Sequence, residues 1–310
     1  MRAQVQRLGA RFAQGSKSLL NAMTGRIAVP VLKLARRLDP DRAADRAGRF
    51  MQRLGPHLPE HGVGRANLAA AYPEKSPEEI EEILGGVWDN LGRVAAEYAH
   101  LDRLWDHDPA RPGAGRIEES EADLARLARI RDQRTPALIF AAHLANWEMP
   151  ALAAAALGLH AAVVYRTPSV GDIAAAVREL RAQKMGTLIA TGPDAPIMAA
   201  AALERATPVG MLVDQHNFRG VEVEFFGRRC KANTMIARLA RHFECPIHGT
   251  RVIRRPGHRF RLELTEAITP PRARDGRLDV TGTMQLITSI VEGWVREHPE
   301  QWLWLHRRWR

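Results

Sequence analysis

The sequence has few cysteines and no long uninterrupted apolar run. Two cysteines among 310 residues, Cys230 and Cys245, cannot build the framework of a disulfide-stapled secreted domain, and no Cys-x-x-Cys pair is present to indicate a zinc ribbon. The basic start of the chain lacks the apolar segment of a signal peptide, which predicts a location on the cytoplasmic side. The hydrophobic fraction of 45% with 26% charged residues is typical of a globular protein.

Acidic residues are scarce at the N-terminus. Residues 1–53 contain 12 Lys and Arg but three Asp, whereas the whole chain has 45 bases and 35 acids, so this segment carries nine of the ten net positive charges. The body of the protein is therefore nearly neutral. A basic arm of this kind binds polyanions, either nucleic acid or the anionic face of a membrane.

Apolar residues in the basic arm recur with helical spacing. Val5, Leu8 and Phe12 share one helical face, and a second apolar cluster at 27–38 is interleaved with Lys and Arg. This pattern predicts a helix that lies in the membrane interface, since charged residues interrupt it well before the roughly 20 apolar residues of a spanning helix. The alternative is that the arm packs its apolar stripe on the body of the same protein.

Three regions are predicted: a membrane-associating arm at 1–53, a helical region at 54–110 and an α/β domain at 116–310. Ser76-Pro77-Glu78-Glu79 is typical of a capped helix start, and prolines and glycines at 108–115 mark the boundary. Beyond it, short apolar strands alternate with helices, which indicates a mixed, largely parallel sheet flanked by helices. The strands are predicted at 136–142, 161–165, 187–190, 208–213, 221–226, 247–253 and 260–264. The helices are predicted at 120–133, up to 157, and at 172–185, 195–204 and 284–295.

A histidine and a glutamate follow the first of these strands. His143 and Glu148 would diverge on a continuous helix, but they can meet if His143 lies in the loop after the strand and Glu148 begins the next helix. A carboxylate on one ring nitrogen would make the other nitrogen a general base for a hydroxyl. No second histidine stands at metal-ligand spacing. The alternative is a capping histidine next to a surface glutamate.

His143-x4-Glu148, placed between a strand and a helix, resembles the His-x4-Asp/Glu motif of the glycerolipid acyltransferase superfamily. Other blocks resemble, in order and spacing, the late acyltransferases of bacterial lipid A biosynthesis, the lauroyl and myristoyl transferase family that also includes mycobacterial mannoside acyltransferases. These blocks are Trp88–Arg93, Val164–Pro168, Val213–Gln215 and Trp302–Trp309.

The resemblance implies transfer of a fatty acyl chain from acyl-carrier protein to a hydroxyl of a lipid A precursor at the inner membrane, without cofactor or metal. His143 would be the base and Glu148 would hold its ring, with backbone N–H groups near Glu148 stabilising the oxyanion. Arg166 would hold acceptor phosphate or sugar, because an arginine fork suits phosphate. Asp214 and Gln215 would position the sugar or order Arg166. Asn146 would belong to the substrate-binding residues and would also shape the loop.

Several alternatives remain open from the sequence. Arg166 could be a solvated charge at the end of a strand, and Asp214 could simply begin a turn. Trp302 and Trp304 are expected to pack in the core, and the last arginines to contact an anionic surface. Members of the family usually have an N-terminal spanning helix, where this sequence offers the basic arm, so peripheral attachment is expected. The acceptor could instead be a lysophospholipid or glycosylated phospholipid. A nucleic-acid-binding protein is the alternative of another class, although no nucleic-acid motif supports it.

Overall fold

The computed structural model describes residues 36–107, 115–166 and 185–309. The predicted arm up to residue 35 and nearly all of the helix predicted at 172–185 lie outside these ranges. The described helices are α1 (Pro40–Leu54), α2 (Pro59–Ala71), α3 (Pro77–Glu97), α4 (Leu101–Leu104), α5 (Glu121–Gln133), α6 (Met149–Ala156), α7 (Ala195–Glu204), α8 (Met235–Phe243) and α9 (Val280–Glu297). The described strands are β1 (Ile117–Glu119), β2 (Leu138–Ala141), β3 (Ala162–Tyr165), β4 (Thr187–Ala190), β5 (Val209–Leu212), β6 (Val221–Phe225), β7 (Arg228–Ala232), β8 (Ile247–Arg255) and β9 (Arg259–Leu264).

Seven strands form one sheet in the order β1-β9-β8-β2-β5-β3-β4. Every neighbouring pair is parallel except β8 with β9, which form an antiparallel hairpin. The central strands are short and apolar because helices cover both faces, as the sequence pattern indicated. The predicted fold class, a largely parallel sheet with flanking helices after a helical N-terminal region, is confirmed.

One strand predicted for this sheet belongs elsewhere. Val221–Phe225 pairs with Arg228–Ala232 in a separate two-stranded antiparallel sheet. Phe226 and Gly227, between the two strands, have φ of 54° and 65°, as a tight type I′ hairpin turn requires. The turn returns the chain directly to an antiparallel partner, and among the described strands β6 and β7 pair with each other alone. Strands β1 and β7 and helix α8 were not predicted.

Helix α3 begins with the predicted capping box, in which Ser76 and Glu79 bond each other's backbone N–H groups. Helix α1 packs against α3 through small residues: a Cβ added to Gly92 would lie 2.3 Å from the carbonyl oxygen of Ala47. An ion pair of 2.7 Å between Asp45 and Arg93 joins the same two helices. Residues 40–53 of the predicted arm therefore pack on the body with one face.

The C-terminal segment 301–309 runs along the loop that follows β2. Trp302 and Trp304 are buried, as predicted, and the former pairs with Leu144 in an isolated bridge. Arg308 is also buried, and it donates a 2.8 Å hydrogen bond to the carbonyl oxygen of Lys231. The expected surface contact of Arg308 with an anion is therefore wrong, because its side chain is enclosed beside Phe225.

Candidate active site

The order of the strands brings His143 and Asp214 together. His143 follows β2 by two residues, Asp214 follows β5 by two residues, and these strands are parallel neighbours. Their carboxyl ends therefore lie side by side, at the sheet edge where α/β proteins collect their functional groups. The central contact of the site, between His143 and Asp214, thus joins two residues that are 71 positions apart in the sequence.

Asp214 holds His143 by two hydrogen bonds. Its Oδ1 accepts from Nδ1 of the ring at 2.8 Å, and its Oδ2 accepts from the backbone N–H of His143, also at 2.8 Å. The same Oδ2 accepts a third hydrogen bond of 2.8 Å from the indole Nε1 of Trp302. All three of these hydrogen bonds to Asp214 come from N–H donors of the protein itself. The aspartate positions the histidine, and this differs from the predicted contact with an acceptor sugar or with Arg166.

The charge of Asp214 is maintained although its side chain is buried. Burial by itself would raise the pKa of Asp214, but the attraction and hydrogen bonds of His143 outweigh it and hold this pKa below its ordinary value. Burial has the opposite effect on His306, whose ring lies 5.3 Å from that of Trp302, and lowers the pKa of this imidazole. The ionised carboxylate of Asp214 thus faces Nδ1 of His143 and fixes a proton on that nitrogen.

The second ring nitrogen of His143 faces the side chain of Gln215. Gln215 Nε2 lies 3.3 Å from His143 Nε2, so the amide N–H donates to the lone pair of the ring. The ring of Trp147 lies 5.2 Å from that of His143, and the His143 side chain is 12% exposed. With Nδ1 protonated, Nε2 is the atom of this site that can accept a proton from an incoming group.

Glu148 does not have the predicted orienting role. It precedes α6, is buried, and accepts a hydrogen bond from the Tyr98 hydroxyl, while Asp214 takes the contact with His143 Nδ1. His143 and Glu148 nevertheless line one cavity, as a strand–loop–helix arrangement allows.

Asn146 is buried inside the loop and does not line the cavity. Its Oδ1 accepts from the backbone N–H of Glu148 at 3.1 Å, and its Nδ2 donates to Glu97 at 2.9 Å. The predicted substrate contact of Asn146 is therefore not what the structure shows, because its buried side chain bonds Glu97 and the backbone of its own loop. The N–H of Met149 is also engaged, by the carbonyl of Asn146. Two of the N–H groups near Glu148, those of Glu148 and Met149, are therefore not free to bind an oxyanion.

A buried ion pair supports the loop between His143 and Glu148 through hydrogen bonds. Arg254 donates to both oxygens of Glu97, at 2.5 and 2.9 Å, and its Nε donates to Asn90 at 2.9 Å. Asn90 in turn donates to the carbonyl oxygen of Ala145 at 3.2 Å. Ala145 has a φ of 45°, an unfavourable conformation for a residue with a Cβ, so the network holds a strained turn next to His143.

A cavity of about 790 Å³ opens at the histidine. Polar side chains at the carboxyl edge of the sheet line one part of it, and apolar side chains of α5, α6 and one sheet face line the rest. The polar part includes His143, Glu148, Arg166, Gln215 and Asn233. The apolar part includes Leu127, Ile130, Ile139, Ala151, Ala154, Val163, Leu188 and Leu262.

Arg166 follows β3 and is exposed at the polar end of this cavity. The structure therefore brings His143, Glu148, Arg166 and Gln215 to one cavity, with Asp214 directly behind the histidine and Asn146 inside the loop. Sequence reasoning missed the hydrogen bond of Trp302 to Asp214 and the pair of Glu97 with Arg254. The signal for Glu97 was available, since Asn90 and Glu97 stand two turns apart on the otherwise apolar face of α3.

The fold and the site define an α/β protein with a histidine–carboxylate pair beside an apolar cavity that is large enough for a lipid chain. The family model described as bacterial lipid A biosynthesis acyltransferase matches residues 26–310, and the chain belongs to this family. It is thus an acyltransferase of the lipid A type. No curated protein matches the chain significantly.

Proposed function

We propose that the protein transfers a fatty acyl chain from acyl-carrier protein to a hydroxyl of a lipid A precursor, with His143 as general base. The observation that carries the proposal is the pairing of His143 with Asp214 at the entrance of the apolar cavity. Family membership supports the acyl transfer and the lipid A acceptor, and the geometry supports the assignment of the base.

In the proposed reaction, His143 Nε2 removes the proton of the acceptor hydroxyl as its oxygen attacks the thioester carbonyl. The C–O bond of the new ester forms, the C–S bond breaks, and the imidazolium returns its proton to the leaving thiolate of the carrier protein. Asp214 keeps the ring in the correct tautomer and stabilises its charged form. The acyl chain lies in the apolar part of the cavity, where its burial contributes about 0.8 kcal/mol per methylene.

Arg166 and Gln215 are assigned to the acceptor. Both lie at the polar end of the cavity, and the guanidinium fork of Arg166 can bind a phosphate by two parallel hydrogen bonds. Gln215 already donates to the nitrogen where the acceptor hydroxyl must arrive, so it marks the position of that hydroxyl. Glu148 faces the same space and is proposed to act on the bound substrates rather than on the ring.

The proposal is tested with purified protein, acyl-carrier protein loaded with a fatty acid, and a lipid A precursor, with the product identified by mass spectrometry. The wild type should add one acyl chain to the precursor, and His143→Ala should lower the rate ~100- to 10,000-fold without loss of folding. His57→Ala, an exposed histidine on the N-terminal helical layer, is the control. Transfer to a lysophospholipid instead of the precursor would favour the other acceptor class, and wild-type turnover by folded His143→Ala would contradict the mechanism.

Membrane attachment on the cytoplasmic face of the inner membrane is proposed from the outer face of α1. Four arginines at helical spacing (Arg42, Arg46, Arg49 and Arg53) are exposed there, and Phe50 is 61% exposed among them. Among the described helices, none is both long and apolar enough to cross a bilayer. An aromatic side chain among cations is typical of helices that bind an anionic lipid surface.

Flotation with vesicles containing anionic lipid tests this attachment. The triple change of Arg46, Arg49 and Arg53 to Gln should weaken flotation, because each cation near the surface contributes on the order of 1 kcal/mol. The matched control changes three exposed arginines elsewhere, Arg134, Arg205 and Arg274, to Gln. Equal loss in both triple variants would contradict a specific role of α1, and tight DNA binding without flotation would favour the nucleic-acid alternative.

A further inference from the structure

A glycine lies in the middle of the sheet where the cavity is apolar. Gly210 belongs to β5 and is paired on one side with Ile139 of β2 and on the other with Val163 of β3. Leu188 of β4 continues the same row. Directly paired residues of parallel strands face the same side, so these three apolar side chains surround a position without a side chain on the cavity floor.

Neither the backbone conformation nor packing against the described residues requires glycine at this position. Gly210 is in a regular strand and is not among the glycines with positive φ. Among the described residues, the nearest atom to an added Cβ would be the carbonyl oxygen of Ile139, at 4.0 Å. By contrast, a Cβ at Gly249 of β8 would come within 2.6 Å of Phe140.

Glycine weakens a strand, because it has no side chain to pack and loses more entropy on folding than any other residue. A glycine inside a strand that packing does not require therefore indicates close approach of another molecule. Gly210 precedes Asp214 by four residues, which span about 13 Å in an extended strand. The space next to Gly210 therefore lies deep in the cavity, away from the sheet edge that carries His143 and Asp214.

We propose that Gly210 is a specificity-determining residue: the notch between Ile139 and Val163 lets the donor acyl chain continue past this row, and it sets the chain length accepted. This inference rests on the proposed function, since it takes the apolar part of the cavity as the place of the acyl chain. A side chain at position 210 shortens the usable space without touching His143 or Asp214.

Acyl-carrier protein loaded with chains of 10, 12, 14 and 16 carbons tests the proposal at a fixed acceptor concentration. Gly210→Val should lower kcat/KM by about fourfold for each methylene that it excludes from the cavity, and it should leave the shortest chains unaffected. Gly210→Ala, which meets no described protein atom closer than 4.0 Å, should shift the preference in the same direction by less. Gly293→Ala of α9 is the matched control, because its added Cβ also has no described atom within 4 Å but lies outside the cavity lining.

A binding assay separates this inference from the proposed function. Free fatty acids of the same lengths compete with a fluorescent fatty acid for the wild type and for each variant, so the result does not depend on turnover. A selective loss of affinity for the longer chains in Gly210→Val supports the proposal, even where the wild type transfers nothing to the chosen acceptor. Equal chain-length profiles of wild type and Gly210→Val, in binding or in transfer, would overturn it.

Discussion

Asp214 accepts hydrogen bonds from both the ring Nδ1 and the backbone N–H of His143, each at 2.8 Å. This double contact fixes the ring relative to the backbone of its own loop, and Trp302 fixes the carboxylate in turn. The position of the general base therefore depends on three segments that are far apart in the sequence: the loop after β2, the loop after β5 and the C-terminal segment.

Replacing Asp214 by Asn should lower kcat by about 100-fold or more. All three contacts of Asp214 come from N–H donors, and an amide offers one acceptor oxygen and an NH₂ group that would face a donor. The ring then loses its tautomer and its charge stabilisation. The measurement is steady-state transfer together with thermal unfolding, with the exposed Asp132→Asn as control. Full activity of a folded Asp214→Asn protein would contradict the assigned role.

Replacing Glu148 by Gln should reduce kcat less than Asp214→Asn does. The ring of His143 keeps its Nδ1 partner in this variant, and the Gln oxygen can still accept from the Tyr98 hydroxyl. Tyr98→Phe, which removes that hydrogen bond but keeps the charge of Glu148, is the companion variant. A loss in Glu148→Gln as large as that in Asp214→Asn would show that the charge of Glu148 acts directly on the reacting groups.

Local patterns predicted local structure well. The capping box of Ser76, strand β4 at Thr187–Ala190 and helix α7 at Ala195–Glu204 were predicted with the correct bounds, because their signals lie within a few residues. The partner of His143 was not predictable in this way. Strands β3 and β4 intervene in the sequence, yet β5 pairs directly with β2, and this strand order brings Asp214 to the ring. The sequence spacing favoured Glu148, which is nearer along the chain.

The free energy of unfolding should decrease as the pH falls below about 6.5, and protonation of His306 explains part of this decrease. Burial lowers the pKa of His306, so the unfolded chain takes up a proton there that the folded protein does not bind, and the free energy of unfolding decreases as pH falls through this range. His306→Asn keeps a donor for the carbonyl oxygen of Leu303 and removes the titration. Urea unfolding at pH 7.5 and 5.0 should show a smaller difference for His306→Asn than for the wild type.

His248 contributes a similar pH dependence, since burial lowers its pKa too, so part of the difference should persist in His306→Asn. Asp214 affects stability at lower pH. Because its pKa is depressed in the folded protein, it contributes stability above about pH 4, and this contribution is lost as the pH falls further. His57→Asn on the exposed surface is the control. An unchanged pH dependence in His306→Asn would contradict the buried neutral state of this ring.

Breaking the ion pair of Glu97 with Arg254 should damage both stability and catalysis. Glu97→Gln leaves the buried guanidinium without its charged partner, a change that costs about 3–5 kcal/mol in comparable sites. Replacing both residues by Met should cost less, because no unpaired charge remains in the interior. The double Met variant removes the partners of both Asn146 and Asn90, and Glu97→Gln replaces the carboxylate that accepts from Asn146, so the loop between His143 and Glu148 is held less firmly in both variants.

Urea unfolding and steady-state transfer together separate these two effects of the ion pair. The double Met variant should regain much of the stability lost in Glu97→Gln while kcat stays low, because the strained turn at Ala145 depends on Asn90 and its hydrogen bonds. Glu266→Gln, which breaks an exposed pair with Arg126, should change neither quantity much. Recovery of wild-type kcat in the double Met variant would mean that the loop keeps its geometry without the polar network, and that the network contributes to stability alone.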